Sequence, residues 1–272
     1  MSNVTSTHGA GHNEVLYEIE DGAIALITLN APERMNTISG PMLGELTRLL
    51  VKANEDPAVR CVILTGVGRA FCAGLDLRQE RDGGGISSAA SATSLDLRNT
   101  PPTVMFEMDK PIICAVNGGA AGYGMDTALG CDIRIMAESA KMAAAFVKRG
   151  VVPESGGTWF LPRMLGWAKA SELIFTGRTL SARECLEWGL ANEVVGDAEL
   201  MGRAREMARE IAANAPLAVQ AAKRMMRMGL NETFKDHVHH VYLQLLPLFR
   251  SEDMKEGVRA FMEKREPTFS GR

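Results

Sequence analysis

The sequence predicts an α/β fold whose last third is wholly helical, and three observations carry that expectation. Apolar, β-branched runs recur at residues 23–29, 60–65, 111–116 and 133–137, the pattern of buried strands. An amphipathic segment or a glycine-rich connection separates each run from the next. From Ala168 onward the apolar residues repeat at helical spacing.

The elements follow in order. Residues 15–20 and 23–29 flank Asp21-Gly22 and read as a β-hairpin. Ser39, ahead of Gly40-Pro41, starts a helix over 42–54 with apolar positions Met42, Leu43, Leu46, Leu49 and Leu50. Asp56-Pro57 ends it, and 60–65 is the next buried strand. Residues 66–76 form a glycine-punctuated connection, and 81–100, rich in Gly, Ser and Ala, reads as a mobile loop with a short helix. Residues 103–108 lead into the strand at 111–116, which breaks at Asn117-Gly118-Gly119, with further glycines at Gly122 and Gly124. After the strand at 133–137 comes an Ala-rich stretch (140–146) and a second glycine cluster (153–157). Helices are expected at 159–165, 170–176, 181–188, 198–214 and 216–230, with a last one ending near Phe261. Ser181 and Glu184 have capping-box spacing. Ala204, Met207, Ala208 and Ile211 form an apolar stripe.

Composition bounds the function. The 272 residues are 46% hydrophobic and 23% charged with a net charge of −3, which gives no electrostatic basis for binding nucleic acid or an anionic membrane. No apolar run approaches the roughly 20 residues of a membrane span. Residues 1–13 read as a loose polar tail without signal-peptide character. Cys61, Cys72, Cys114, Cys131 and Cys185 lie in apolar stretches with no C-x-x-C pair, which suggests reduced core thiols and a cytoplasmic location. No metal site is expected. His237 and His240 share a helix face but have no evident carboxylate or cysteine partner.

The glycine turns carry the chemistry. Glycines at a strand-to-helix junction admit a ligand close to backbone, and a helix start presents unpaired N–H groups. The glycines at 118, 119, 122 and 124 miss the G-x-G-x-x-G dinucleotide fingerprint, and no Gly-Lys-Ser/Thr phosphate loop is present. There is no G-x-S-x-G element either. A second such turn, 70–76, follows the strand at 60–65. Two parallel strands ending in these turns bring two sets of N–H groups to one sheet edge. Two converging donors make an oxyanion hole.

The stretches A-F-C-A-G-L-D-L from Ala70, K-P-I-I-C-A-V-N-G-G-A-A-G-Y-G from Lys110 and C-D-I-R-I-M from Cys131 resemble the crotonase superfamily of enoyl-CoA hydratases and isomerases. So do N-A-P-E-R-M-N-T-I from Asn30, V-P-E-S-G-G-T-W-F-L-P-R from Val152 and T-G-R-T-L-S-A-R-E from Thr176. The resemblance runs from about residue 14 to the C-terminus. It implies a crotonase-like spiral of ββα units over 14–197, carrying an acyl-CoA site. It also implies a helical region over 198–272 that assembles a homotrimer or homohexamer.

The resemblance assigns the oxyanion-hole N–H groups to Leu75 and Tyr123. It sets the coenzyme A thioester, as substrate rather than cofactor, against Ala73, Gly74, Asp76, Gly122 and Phe146, and brings Arg34 near the coenzyme A phosphates. Asp76 also reads as ordering the turn after Gly74. The glycines are expected to keep side chains from crowding the thioester. Hydratases of this family use two glutamates, and the corresponding positions here are Asp126 and Phe146. Glu154 falls where double-bond isomerases carry their acid. Moving one proton between two carbons needs one base, whereas hydration favours two carboxylates at one water. The pattern favours isomerisation, with Glu154 as acid/base, Asp126 as a second polar group or co-catalyst, and Phe146, Trp159 and Phe160 as apolar walls. Two alternatives stay open: an ordinary 2-enoyl-CoA hydratase using Asp126 and Glu154 together, and a non-catalytic binding protein of the same fold.

Overall fold

The computed structural model describes residues 13–78 and 100–272. The polar tail and most of the loop expected at 81–100 lie outside them. Among the described residues ten strands form two sheets. Strands β1 (Val15–Glu20) and β2 (Ile24–Leu29) make the expected antiparallel hairpin. Asp21 and Gly22 both take positive φ, the turn geometry that matches strand twist. β3 (Cys61–Gly66), β5 (Ile112–Val116), β7 (Ile133–Ala137) and β10 (Glu193–Val195) then add in parallel, giving the order β1-β2-β3-β5-β7-β10. These strands are covered on both faces, so β3 and β5 read as continuous apolar runs without alternation.

The second sheet was not evident in the sequence. β4 (Ala70–Cys72), β6 (Gly119–Ala121), β8 (Lys141–Ala143) and β9 (Thr179–Ser181) pair in the order β4-β6-β8-β9. Each has three residues, too few to show a period, and β6 is made of glycine and alanine. Because β4 and β6 pair in parallel, the two glycine turns run side by side.

Helix α1 (Gly40–Glu55) starts where Ser39 accepts the Met42 N–H at 3.1 Å. It buries Met42, Leu46, Leu49, Leu50 and Ala53. The residues expected to lead into β5 instead form a helix, α2 (Pro101–Glu107). α3 (Tyr123–Gly130) follows β6, and α4 (Gly157–Thr176) follows the 153–157 cluster. Gly166 breaks helical geometry within α4, so the two helices expected on either side of it are one element with a kink. α5 (Ala182–Trp188) carries the capping box. α6 (Leu200–Ala212) packs Ala204 and Ala208 against β3, β5 and β7, their small side chains allowing a close approach. α7 (Pro216–Gly229), α8 (Phe234–Leu248) and α9 (Glu252–Glu263) complete the helical layer. Phe234, Phe261 and Met226 on this layer are exposed. Among the described residues no helix is long and apolar enough to cross a membrane.

Polar anchors fix the strand that feeds the site. The Asp132 carboxylate accepts the Ile112 N–H and the Lys223 ammonium, both at 2.7 Å. All five cysteines are buried free thiols. Burial pushes Cys61, Cys72 and Cys185 up to about 12, so these thiols stay protonated and act as small apolar groups.

Candidate active site

The first turn is held from below by residues 35–38. Ala73 N–H donates to Met35 C=O at 3.0 Å, Ile38 N–H to Gly74 C=O at 2.8 Å, and Asp76 N–H to Ile38 C=O at 3.0 Å. Asn36 is fully buried and donates its amide to the Val67 and Ala70 carbonyls while accepting the Ala31 N–H. The second turn has a matching asparagine. Asn117 accepts the Gly66 N–H and donates to the Gly68 carbonyl. These two amides replace the ladder bonds that the chain gives up where it leaves the large sheet.

The glycines lock the turns together. A Cβ on Gly118 would stand 2.2 Å from the Arg69 carbonyl oxygen, and one on Gly124 would stand 2.0 Å from that of Cys72. The space they leave is filled by the first turn's backbone, which corrects the expectation that they clear room for the thioester. Gly74 and Gly122 serve conformation, with φ of 109° and 52°. A Cβ on Gly74 would lie 3.9 Å from the Tyr123 nitrogen, so the two expected donors are neighbours. Among the described residues, neither Leu75 N–H nor Tyr123 N–H donates to a protein acceptor. Tyr123 is the first residue of α3, where a free N–H is a consequence of helix geometry.

A cavity of about 540 Å³ opens at these donors, lined by Leu75, Tyr123 and Glu154 together. Its walls include Leu43, Phe106, Trp159 and Phe160. The three rings pack edge-on, with centroids 5.3 Å apart for Phe106–Trp159 and 5.1 Å for Trp159–Phe160. Arg163 covers Trp159 at 4.0 Å. Glu154 sits at the rim, and loss of water around it raises its carboxyl above the usual glutamate value.

Asp126 takes a different place. It is fully buried and does not line the cavity. Its Oδ2 accepts the Ser155 N–H at 3.1 Å, while Oδ1 has no hydrogen-bond partner. Burial pushes its carboxyl up to about 7, the amides of Gly157 and Ser155 pull it down, and the nearby Glu154 charge raises it further. The one-methylene-shorter side chain ends against the 153–157 turn, short of the ligand space.

Other expected contacts fall elsewhere. Phe146 is buried and is no cavity wall; its ring backs Gly122, 3.9 Å from where a Cβ would stand. A short 3₁₀ turn, Val147–Arg149, follows it. Arg34 is paired with Glu14 at 2.7 Å and donates to the Thr37 carbonyl, away from the cavity lining. Asp76 accepts the Arg78 N–H at 3.1 Å and so orders the turn after Gly74. His237 and His240 do have a carboxylate partner, since both Nδ1 atoms meet Glu232 at 3.1 and 2.9 Å. Among the described residues no group of three or more His, Cys, Asp or Glu is arranged to hold a metal ion.

Leu43, Phe106, Ser155 and Asn231 were missed as site residues. Leu43 belonged to the apolar stripe of α1, and only its partial exposure at the stripe's edge distinguishes it from core. Asn231 comes from the link between α7 and α8, far along the chain.

Comparison with known proteins agrees with this geometry. The family model described as enoyl-CoA hydratase/isomerase matches residues 19–272. The chain is 39% identical over 265 residues to 1,2-epoxyphenylacetyl-CoA isomerase of Escherichia coli K12, covering 95% of this chain and 98% of that protein. It is 38% identical over 266 residues to carnitinyl-CoA dehydratase of the same strain, covering 96% and 100%. A crystal structure of enoyl-CoA hydratase from Bacillus anthracis superposes with a TM-score of 0.88 at 36% identity, covering 95% of this chain and 100% of that one. The chain therefore belongs to the enoyl-CoA hydratase/isomerase family and is an enzyme of that family.

Proposed function

We propose that this enzyme moves a double bond in an enoyl-coenzyme A thioester, with Glu154 as the only proton carrier. The observation that carries the reading is that Glu154 lines the same cavity as Leu75 and Tyr123. The thioester oxygen accepts the Leu75 and Tyr123 N–H groups. Glu154, as carboxylate, takes a proton from the carbon next to the double bond, and the electron pair moves toward the thioester oxygen. The resulting enolate is held by the two N–H groups. Glu154, now the acid, returns the proton to the other end of the conjugated system, and the carboxylate is regenerated. One proton moves and no cofactor is consumed, so coenzyme A enters as part of the substrate.

A partly desolvated glutamate suits both halves of this cycle, since loss of water raises its carboxyl and makes it a stronger base. The apolar cavity, walled by Phe106, Trp159 and Phe160, suits an apolar acyl group. Hydration by a pair of carboxylates is less well supported, because Asp126 is buried outside the cavity lining. The same proposal assigns the exposed apolar residues of α7, α8 and α9 to trimer or hexamer contacts, and the cytoplasm as the enzyme's location.

The test is a panel of 2-enoyl- and 3-enoyl-CoA thioesters, following water addition and double-bond migration separately for wild type and Glu154→Gln. Migration of the 3-enoyl substrates, lost in the variant, supports the proposal. Full activity of the variant in both assays overturns it.

A further inference from the structure

Ser155 joins the two parts of the site. Its N–H donates to Asp126 Oδ2 at 3.1 Å, and Ser155 and Tyr123 line the same cavity. Asp126 belongs to the first turn of α3, the helix whose first N–H belongs to Tyr123. Ser155 itself directly follows Glu154 and is buried. One hydrogen bond therefore ties the residue beside the proton carrier to the helix turn that supplies an oxyanion donor.

The neighbouring backbone is shaped around this tie. A Cβ on Gly157 would stand 2.3 Å from Asp126 Oδ1, so the carboxylate occupies room that only glycine leaves. Gly156, with φ of 110°, turns the chain so that α4 begins over that carboxylate. A buried carboxylate with one oxygen left without a partner is costly unless the other bond fixes something the enzyme needs.

We infer that Asp126 and Ser155 form a clasp that sets the distance between Glu154 and the Tyr123 N–H, so that Asp126 is a positioning residue and carries no proton in the reaction. The inference rests on the reading of Glu154 as the proton carrier. In the isomerisation, a base displaced by an ångström relative to the enolate oxygen loses rate with little change in ground-state binding.

Four variants test it, with kcat and KM measured across pH on the 3-enoyl-CoA substrate that wild type turns over fastest. Asp126→Asn keeps an oxygen for the Ser155 N–H and is expected to keep kcat within about fivefold of wild type, with the acid limb of the pH profile retained. Asp126→Ala removes the tie and is expected to lower kcat by about 50-fold or more while KM changes by less than about threefold. Ser155→Ala keeps the N–H that makes the tie and is expected to lower kcat by far less than Asp126→Ala. In the double variant Asp126→Ala/Ser155→Ala, the kcat loss is expected to stay close to that of Asp126→Ala alone, because the tie uses the Ser155 N–H and not its side chain.

A loss in Asp126→Asn as large as that in Glu154→Gln would make Asp126 a proton carrier and overturn the clasp while leaving the enolate chemistry intact. Wild-type kcat in a folded Asp126→Ala would overturn it as well. If Asp126→Ala fails to fold, Asp126→Asn alone decides. Full activity of Glu154→Gln would instead remove the reading beneath the inference.

Discussion

The paired glycine turns, 70–76 and 117–124, and the 153–157 turn face one cavity but are held by different means. The paired turns are backbone packed on backbone, with Gly118 and Gly124 each seated against a carbonyl oxygen of the neighbouring turn. The 153–157 turn is held by a side chain, through the Asp126 carboxylate that accepts the Ser155 N–H. Backbone packing tolerates almost no change at a glycine. A side-chain tie can be retuned one residue at a time, which leaves the paired turns fixed while the adjoining turn varies.

The sharpest way to break that contrast is Gly124→Ala. Its Cβ would overlap the Cys72 carbonyl at 2.0 Å, so the variant is expected to lose about 3 kcal/mol or more, or not to fold. Gly119→Ala is the matched control, since nothing lies within 4 Å of its Cβ position, and urea melts should leave it within about 1 kcal/mol of wild type. Equal melts for the two variants would mean that the turns do not interlock.

The side-chain half of the comparison predicts a pH signature. Asp126 goes from 3.8 in its ordinary state to about 7 when folded, chiefly through burial. Between these values the folded protein keeps a proton that the unfolded chain has released. Stability therefore falls as pH rises through that window, by at most about 1.4 kcal/mol per pH unit from this group. Melting temperatures at pH 5 and pH 8 should diverge more for wild type than for Asp126→Asn. A parallel pair of curves would show that Asp126 is not held out of water.

Glu154 gives a smaller pH effect that is read in rate. Its carboxyl is raised by burial, and the base must be ionised, so kcat should fall as pH drops through a midpoint above 4.5. Glu154→Asp should keep that limb at a reduced rate; a variant without the limb would assign it to another group. The smallest effect is expected far from both turns. Glu232→Gln leaves the His237 and His240 imidazoles with a neutral partner and should change stability by less than about 1 kcal/mol.

The same division explains what could be read from the sequence. Buried parallel strands and the glycines between them follow directly from β-branched runs and their breaks, so β2, β3, β5 and β7 fall within a residue or so of the expected bounds. Strands of three residues such as β6 have no period to detect and exist because of their neighbours. Glycine spacing pointed to two converging turns. It could not show that Gly118 and Gly124 face backbone, because that depends on how the turns dock. Asp126 looked like a second acid beside the ligand because a carboxylate at a helix start has the same sequence whether it points to a cavity or to a neighbouring amide. Phe146 and Arg34 fall outside the cavity lining for a related reason: the packing of the Phe146 ring behind Gly122 and the Glu14 partner of Arg34 are tertiary facts.

The central claim is that one carboxylate moves the proton while the other positions it. The most direct measurement is kcat for double-bond migration in Glu154→Gln and Asp126→Asn, side by side on one 3-enoyl-CoA thioester at one pH. The account predicts a loss of about 10³-fold for Glu154→Gln and less than about tenfold for Asp126→Asn. The opposite order, or equal losses in the two variants, would contradict it.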